Sequence, residues 1–559
     1  MGRRAAIIAV ALSIGGAPRA DAPRTIVDLQ PFRHVQSTAI RTADGRAGVA
    51  TLVDLNPTIG AWYVLTLTGD RAPARSYHLE NPRPRAQTVV IDSRSTAGVG
   101  IAERDGRRAC EPCGVDSLDA AAASAAPFAP ACGGRLYVRN HASGRHTELE
   151  SAVDVVREHV PGGERLLELG HDLLGDQYLD RGRIGDTAAR DPLRSGPLPA
   201  LVDPDAAARA LSSDRLGITL VGAANGLRPG AWYAVTGHPG VYVSLVQPGT
   251  IAGPILHDGA ASVSALDSVE ASAIAYLVAF DLDRFELGYA GGTEHPSVGW
   301  SAHMPSAMRD AAEPGPDGIA SIAPLVATGI VSPWDAPRTV ATFAGGFKRQ
   351  HGAFLYGDLA TRNHASHYGF LEHGVVLSTL QPGLATLIVS ASGAVEMKTW
   401  TPADADRVRD IRHARQNGVA IVEYDAARHT TVPGALVNRW GPGNWSGSSD
   451  MKLRTIRGAA AIQHNGGEHY LIYAVFSAAT PSAMARVFQA YRCEYAMLLD
   501  MNALEHTYFA LIDRDASGIR LQYLIKGMSQ VDRVVNGRVV PRFVGEPDNR
   551  DFFYVMTRP

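Results

Sequence analysis

Short apolar runs separated by turn-forming residues recur along the sequence, and they predict many short β-strands. Val49–Leu55 and Trp62–Leu67 are early examples, and Ala385–Trp400 alternates around Ser392-Gly393 as a hairpin does. The 57 glycines and 34 prolines among 559 residues supply the breaks between such strands. A hydrophobic fraction of 45% excludes a disordered chain and provides core for several units.

The clearest local unit lies between residues 468 and 502. His469–Phe476 predicts a strand, Thr480-Pro481 the start of a helix, and Tyr495–Leu499 a second, buried strand. The helix has one apolar face, formed by Met484, Val487, Phe488 and Tyr491. This pattern brings Asp500 to the carboxyl end of a strand, where open α/β sheets bind ligands.

The predicted fold class is α+β, with a C-terminal mixed β-sheet domain with flanking helices, preceded by smaller β-rich modules. A helix is predicted from Pro402 to Asn417, because proline suits the first helical position and Gly418 follows the last. The two modules share a turn-and-strand pattern, which indicates either a duplication or a coincidence. The expected units are a signal peptide (1–22), an N-terminal β-rich module (23–180), a linker (181–204), a second small β-rich module (205–270) and the C-terminal domain (271–559).

The N-terminus has the pattern of an export signal. Arg3 and Arg4 precede an apolar run, Ala5–Ala17, and Ala20-Asp21-Ala22 offers a small-residue cleavage site. The run is shorter than the ~20 residues of a membrane-spanning helix. Pro23 directly after the cut leaves an uncleaved anchor as the alternative. We expect a periplasmic or secreted protein without stable membrane insertion after cleavage.

The charge balance argues against a nucleic acid as the main partner. The 53 Lys and Arg residues against 56 Asp and Glu leave a formal net charge of -3. Binding to a phosphate backbone requires a concentrated basic surface instead.

The cysteines suit an oxidising compartment. Cys110, Cys113 and Cys132 lie close together, and we expect a structural disulfide among them, with the pairing open. A zinc site is the alternative for the Cys-x-x-Cys spacing. Cys493 lies in an apolar run and is predicted to be a buried free thiol.

A glycine pair follows a β-like run at Val340–Phe343. Gly345 and Gly346 allow the backbone to approach a ligand closely, and Lys348 and Arg349 then present cationic donors. The alternative is an ordinary hairpin turn.

A loop rich in Gly, Ser and Asn carries two tryptophans. Trp440 and Trp445, with Asn444, are typical of a platform on which a sugar stacks. Arg454 and Arg457 follow and could bind a phosphate in bidentate fashion. The alternative is a solvent loop held by two core tryptophans.

Four polar residues follow the buried strand that ends at Leu499. Asp500 and Glu505 are candidate acid–base carboxylates, His506 a candidate proton carrier, and Asn502 a candidate substrate ligand. The alternative is that these polar residues only end the strand and cap its backbone hydrogen-bonding groups. His364 and His367 have metal-ligand spacing, but the sequence places no acidic third ligand near them. No metal site is therefore predicted, and a metal-dependent hydrolase that uses these two histidines is the weaker alternative.

With these residues in view, the C-terminal half resembles the phosphodiester glycosidase domain family, which includes the lysosomal uncovering enzyme (N-acetylglucosamine-1-phosphodiester alpha-N-acetylglucosaminidase) and bacterial relatives. The segments that match the family pattern are Val278–Leu282, Gly345-Gly346-Phe347, Arg454–Gly458 and Leu499-Asp500. The resemblance implies that Gly345, Gly346, Arg454 or Arg457, and Asp500 line the pocket.

The sequence departs from the family pattern at two points. Ala344 stands where the family usually has Asn, and Met501–His506 replaces a glycine-rich, serine-containing turn. We therefore expect a divergent member whose site is rebuilt around Asn502, Glu505 and His506.

The expected function is an exported hydrolase that cleaves a glycosidic bond in a sugar phosphodiester or envelope glycan, with no cofactor. The predicted partner is thus a carbohydrate or sugar-phosphate substrate. In the alternative, the protein keeps the fold but only binds glycans or organises the envelope.

Overall fold

The computed structural model describes residues 24–41, 47–69, 72–92, 98–103, 113–147, 150–151, 156, 177–185, 196–223, 226–295, 297–301, 304, 306–349, 368–439, 454–516 and 518–559. The predicted signal peptide, 1–22, lies outside these residues. None of the described helices has the length and apolar character needed to span a bilayer.

The described strands of the N-terminal half range from two to nine residues. They are β1 (His34–Arg41), β2 (Ala47–Asp54), β3 (Trp62–Gly69), β4 (Ala72–Glu80), β5 (Gln87–Asp92), β6 (Gly98–Glu103), β7 (Cys113–Gly114), β8 (Phe128–Ala131), β9 (Leu136–Arg139), β10 (Arg183–Gly185), β11 (Ala210–Ser212), β12 (Tyr233–Ala234) and β13 (Val241–Val246).

The C-terminal half contains the remaining described strands. They are β14 (Ala275–Asp281), β15 (Phe285–Ala290), β16 (Thr339–Ala344), β17 (Phe370–Glu372), β18 (Val375–Ser378), β19 (Ala385–Ser390), β20 (Val395–Thr399), β21 (Ile411–Gln416), β22 (Ala420–Asp425), β23 (Thr430–Pro433), β24 (Thr455–Asn465), β25 (Glu468–Ala479), β26 (Tyr495–Met501), β27 (Phe509–Asp515), β28 (Gly518–Tyr523), β29 (Arg533–Val535), β30 (Arg538–Val540) and β31 (Phe552–Thr557).

Helices are few in the described part of the chain. The α-helices are α1 (Val115–Ala122), α2 (Pro204–Ala207), α3 (Gly253–Leu256), α4 (Ser268–Ser272) and α5 (Pro481–Ala490). The 3₁₀ helices are Cys132–Gly134, Pro248–Thr250, Ser306–Met308, Ala336–Arg338, Pro402–Asp410, Val437–Arg439 and Lys526–Gln530. The many strands and few helices of the described chain confirm the β-rich part of the predicted fold class.

The N-terminal module is a six-stranded antiparallel sheet, β1-β2-β3-β4-β9-β8, with the β5-β6-β7 sheet beside it. Because side chains alternate along a strand, β3 faces two cores. Tyr63 and Leu65 pack in the module's own core, whereas Trp62 and Val64 pack in the main core of the protein.

An eight-stranded sheet, β12-β13-β14-β25-β24-β26-β22-β23, forms the centre of the protein. Its aromatic residues meet those of a five-stranded sheet, β15-β31-β16-β27-β28: the Tyr473 ring lies 4.6 Å from Phe343 and 5.6 Å from Phe509. A second five-stranded sheet has the order β18-β17-β21-β19-β20. Strands β12 and β13 belong to the predicted module 205–270, but they extend the central sheet. The domain bounds given above remain a prediction.

The predicted strand–helix–strand unit is present as β25, α5 and β26. Thr480 accepts a hydrogen bond from the Ala483 amide and so caps α5, which begins at Pro481. Phe488 packs on Phe476, with ring centroids 5.6 Å apart. Strand β24 lies between β25 and β26 and runs antiparallel to both. The crossover from β25 to β26 therefore passes over β24. All neighbouring described strands of the central sheet are antiparallel, so the sheet is not mixed as predicted.

The helix predicted from Pro402 to Asn417 is wrong. Only Pro402–Asp410 is helical, as a 3₁₀ helix, and β21 begins at Ile411. Strand β21 pairs with β17 and with β19. These ladders bury its side chains and outweigh the local signals for a longer helix.

Two of the three cysteines of the predicted disulfide are neighbours. The Cys132 amide donates a hydrogen bond to the Cys113 sulfur at 3.1 Å, and both residues are buried. Cys110 lies outside the described residues, so the disulfide stays a prediction. Cys493 is a buried free thiol, as predicted.

A buried arginine joins the N-terminal module to the C-terminal half. Arg139 of β9 pairs with Glu80 of the same sheet and lies 3.4 Å from Glu372 of β17. Its guanidinium also stacks over Trp62 at 4.3 Å, and Nε donates to the Val326 carbonyl at 3.1 Å. Since the three charged side chains are at most 3% exposed, each depends on the others for its stability.

We expect Arg139→Ala to destabilise the protein by about 3–5 kcal/mol, because it leaves two buried carboxyl groups without their partner. Urea denaturation followed by tryptophan fluorescence measures this. Arg75→Ala is the matched control: its pair with Asp119 is largely exposed, so the loss should stay within about 1 kcal/mol. Equal losses in the two variants would contradict the role of Arg139.

Candidate active site

The segment Asp548–Asp551 forms the centre of the candidate site. It directly precedes β31, whose apolar residues are buried between β15 and β16. The strand carries the segment into the interior, so that two aspartates, an asparagine and an arginine are all buried. Buried charges are stable only when they are paired and hydrogen-bonded. The partners of this segment therefore define the site.

Arg550 binds three side chains from distant parts of the chain. Its Nη1 donates to Asp500 Oδ2 at 2.6 Å and its Nη2 to His506 Nε2 at 2.8 Å. Its Nε donates to Glu150. Asp500 belongs to β26, His506 to the turn after it, and Glu150 to the end of the N-terminal module. One guanidinium thus holds three elements together.

Burial and the Arg550 charge act on these carboxyl groups in opposite directions. Burial raises the pKa of Asp500 to about 6, although Arg550 and the Met501 amide favour its ionised form. Burial also opposes the ionisation of Glu150, but there the Arg550 charge prevails and holds the pKa well below its usual range. Of the two, Asp500 is the group that exchanges a proton near neutral pH.

His506 is fixed as one neutral tautomer. Because a guanidinium has only donors, His506 Nε2 accepts from Arg550, and Nδ1 donates to the Met501 carbonyl at 2.8 Å. Burial and the Arg550 charge lower the pKa of His506 well below its usual value. Its basic nitrogen is already engaged, so the ring orients the guanidinium rather than offering a site for a proton.

Glu505 lies beside this cluster. Its side chain accepts from Thr147 Oγ1 at 3.3 Å, and its carbonyl accepts from Arg542 Nη1 at 2.6 Å. Arg542 is in turn held by both oxygens of Asp548, at 2.6 and 3.1 Å. Burial, with the nearby Glu150 charge, raises the pKa of Glu505. The structure thus brings the predicted acids, Asp500 and Glu505, to one region.

Asp551 organises a second group of side chains. Its Oδ1 lies 2.6 Å from His295 Nδ1, and its Oδ2 accepts from Arg415 Nε at 2.8 Å and from Tyr289 at 3.0 Å. Burial opposes its ionisation, but Arg415 and His295 hold the pKa of Asp551 well below its usual range. The charges of Asp551 and Arg415 also act on the pKa of Asp500, so the two groups adjoin.

The predicted glycine turn packs against this second group. The Gly345 amide donates to the Asp551 carbonyl at 2.9 Å, and a Cβ on Gly345 would lie 2.6 Å from Asp551 Oδ2. A Cβ on Gly346 would lie 2.7 Å from Asn417 Oδ1 and 2.8 Å from Arg415. The close backbone approach is as expected from paired glycines, but the groups approached are side chains of the protein itself.

Asn417 connects that turn to the strand bearing Asp500. Its Oδ1 accepts from the Phe347 amide at 3.0 Å. Its Nδ2 donates to the carbonyls of Leu498 and Leu499, at 2.8 and 3.0 Å. One buried amide therefore fixes the glycine turn relative to β26.

Lys348 is buried just after the turn. Its Nζ lies 3.8 Å from Glu294 Oε2, and the other Glu294 oxygen lies 2.7 Å from His146 Nε2. His146 Nδ1 accepts from Asn549 at 2.9 Å. Lys348 is thereby linked to the Asp548–Asp551 segment.

The Arg349 guanidinium is only partly hydrogen-bonded by the described residues. Its Nη2 donates to the Tyr368 carbonyl at 3.0 Å and lies 3.4 Å from Asp317 Oδ2. Its Nε and Nη1 have no hydrogen-bond partner among the described residues, although the side chain is fully buried. Burial raises the pKa of the Tyr368 phenol, on which the charges of Arg415, Arg349 and Asp500 also act. Arg349 therefore has two donor nitrogens, Nε and Nη1, that no described group engages.

The other predicted substrate ligands have different surroundings. Arg457 is buried, with Nε donating to the Ala479 carbonyl at 2.7 Å and Nη1 lying 2.8 Å from Met501 Sδ. Arg454 pairs with Asp267 and is about one-third exposed, so the structure brings Arg457, but not Arg454, next to the end of β26. Asn502 follows that strand with φ +80°, and its buried Oδ1 has no partner within the described ranges.

Several predicted residues lie outside the described part of the chain, namely Trp440, Asn444, Trp445, His364 and His367. Among the residues that the structure does describe, no three His, Cys, Asp or Glu side chains are grouped so that they could hold a metal ion.

Sequence reasoning missed most of the charged partners. It did not identify Arg550, Asp551, His295, Arg415 or Glu150. For Arg550 and Asp551 a usable signal existed, because four polar residues in succession precede the apolar run 552–556. Such a run is usually a solvated turn, and its burial depends on long-range pairing.

Comparisons with known proteins leave the family open. No protein-family model and no curated protein matches the chain. A "hypothetical protein" of Synechocystis is 9% identical, with 94% of this chain and 81% of that chain covered, at a TM-score of 0.22. A "putative exported protein" of Burkholderia pseudomallei K96243 is 10% identical, with 97% of this chain and all of that chain covered, at a TM-score of 0.19. Neither likeness establishes a fold or a function.

We expect Gly346→Ala to destabilise the protein by about 1–3 kcal/mol, because the new methyl group overlaps Asn417 and Arg415, which neighbouring elements hold in place. Thermal and urea denaturation measure the loss. Gly259→Ala is the control: a Cβ there meets nothing within 4 Å, so stability should change by no more than about 0.5 kcal/mol. A Gly346→Ala protein as stable as the control would contradict the described packing.

Proposed function

We propose that the protein is an exported hydrolase that cleaves a glycosidic bond in a sugar phosphodiester or a related envelope glycan. The main support is Asp500, a buried carboxyl group whose pKa is raised to about 6 within a cluster of arginines. A carboxylic acid with such a pKa can protonate the oxygen of a leaving group near neutral pH.

In this proposal Arg349 and Lys348 bind the phosphate. Arg349 Nε and Nη1, which have no hydrogen-bond partner among the described residues, can each donate to a phosphate oxygen, and Lys348 adds a buried cation next in sequence. Trp440 or Trp445 would stack on the sugar, and no cofactor is required. His506 positions Arg550, which in turn holds Asp500.

The proposal includes the finer fold assignment, an α+β domain of the phosphodiester glycosidase kind over 271–559. It is supported by the unit β25–α5–β26, which ends in Leu499-Asp500, and by the Gly345-Gly346 turn that packs on Asp551. Export is supported by the sequence pattern of residues 3–22.

The second candidate is a non-catalytic exported protein that binds glycans or organises the envelope. It is favoured by the contacts of Asp500, since the Met501 amide donates to Oδ1 at 2.8 Å and Arg550 to Oδ2 at 2.6 Å. A carboxylate with both oxygens engaged also suits a purely structural role.

We expect Asp500→Asn to reduce turnover at least about 100-fold, because an amide cannot donate the catalytic proton. The assay measures sugar release from a panel of UDP-sugars and nitrophenyl-sugar phosphodiesters by the purified protein. Binding without release by the wild-type protein would favour the second candidate.

Asp532→Asn is the matched control for this experiment. Asp532 is likewise a buried carboxyl group whose pKa burial raises, but it binds Tyr508 and Tyr523. Turnover should stay within about threefold of wild type. An Asp500→Asn protein that retains turnover while keeping its melting temperature would contradict the catalytic assignment.

The pH dependence of kcat/KM provides a further prediction. Asp500 must be protonated to act as the acid, and burial raises its pKa to about 6. We therefore expect kcat/KM to fall as the pH rises through about 6. A profile that is flat or rising between about pH 5 and about pH 8 would contradict the role of Asp500 as the acid.

A further inference from the structure

His295 is a buried residue to which the sequence assigned no role. It is 1% exposed, and its ring lies edge-on to Phe370, with ring centroids 5.2 Å apart. The guanidinium groups of Arg415 and Arg349 lie over the same Phe370 ring, at 4.6 and 5.8 Å from its centroid. His295 therefore borders on the cations of the candidate site.

The contacts of His295 determine which nitrogen carries the proton. Its Nδ1 lies 2.6 Å from Asp551 Oδ1. Because Arg415 and Tyr289 donate to Asp551 and stabilise its ionised form, the carboxylate accepts and Nδ1 is the protonated nitrogen. The Nε2 atom then carries a lone pair. It is buried and has no hydrogen-bond partner among the described residues.

Three other buried histidines differ in this respect. His78 Nδ1 accepts from the Val326 amide, and His413 Nδ1 accepts from the His373 amide, so each carries its proton on Nε2. His506 Nε2 has a lone pair, but Arg550 occupies it. Of these four, His295 alone combines a carboxylate on Nδ1 with a basic Nε2 that no described residue engages.

Two consecutive residues connect His295 to the candidate acid. Arg550 binds Asp500, and Asp551 binds His295. The short polar segment before β31 thus fixes a proton donor and a proton acceptor relative to each other. Hydrolysis with a separate acid and base requires such a pair.

We propose that His295 is the general base of the candidate site and that Asp551 positions it, an inference that rests on the proposed function. In the reaction, His295 Nε2 takes a proton from water while the water oxygen bonds to the anomeric carbon. The bond between that carbon and the phosphate oxygen breaks, and the oxygen receives the Asp500 proton. The products are the free sugar and a phosphomonoester, and the two protein groups then exchange their protons with solvent.

The electrostatic surroundings of His295 support this role. Burial lowers its pKa to about 4, with Arg415 and Lys348 acting in the same direction and Asp551 against them, so the ring is neutral at pH 7. An anionic substrate would offset the charges of Arg415, Lys348 and Arg349. The bound phosphodiester therefore makes the ring more basic than it is in the free protein.

The test compares His295→Gln with His413→Gln in the sugar-release assay on the same substrate panel. We expect His295→Gln to lower kcat at least about 100-fold, with KM within about threefold, because water activation is lost while the phosphate ligands remain. His413→Gln, which alters a buried histidine of the other tautomer, should keep kcat within about threefold. Melting temperatures report whether each variant is folded.

Chemical rescue separates a catalytic role from a structural one. Imidazole added to His295→Ala should restore turnover at least about tenfold, and it should not accelerate Asp500→Asn. Asp551→Asn is expected to reduce kcat as well, because an amide no longer fixes the Nδ1–H tautomer.

The outcomes distinguish the two proposals. Suppose that the wild-type protein turns over a substrate and that folded His295→Gln keeps this turnover within about threefold. This result would overturn the role of His295 but not the proposed function. Loss of turnover in His295→Gln without imidazole rescue of His295→Ala would also overturn it. No turnover by the wild-type protein with any member of the panel would overturn the proposed function, and with it the base.

Discussion

A guanidinium group buried in a protein is stable only where carboxylates and acceptors surround it. Arg550 meets this condition with Asp500 and His506 from one segment and with Glu150 from the N-terminal half. Breaking any one contact would leave a buried charge poorly compensated. The end of β26, the turn after it and the end of the N-terminal module are consequently held in one arrangement. The raised pKa of Asp500 depends on the same arrangement, since burial prevails there over the guanidinium charge.

The position of β31 makes this arrangement attainable. Its apolar residues are buried between β15 and β16 of a five-stranded sheet, so the polar segment before it is also placed in the interior. The N-terminal module completes the enclosure through Glu150 and through the Arg139 ion pairs with Glu80 and Glu372. The site is therefore assembled from both halves of the chain, which gives the N-terminal module a part in its electrostatics.

Local patterns predicted part of this structure. The β-rich character, the unit β25–α5–β26 and the place of Asp500 at a strand end follow from apolar periodicity and capping residues within some thirty-five positions. The helix predicted from Pro402 failed because β21 pairs with two distant strands. Because of the same error, Arg415 and Asn417 were not recognised as site residues. Arg415 lies in β21 and binds Asp551, and Asn417 follows β21 and binds β26.

What the sequence alone determined is thus local: where strands alternate, where α5 is capped, and where glycines permit close backbone approach. The tertiary structure decided which charged residues are buried and what they bind. Glu150 and Arg550 lie 400 positions apart and His295 and Asp551 256 apart. No short-range pattern encodes such pairs, because the burial that shifts their pKa values arises only when separate sheets pack together.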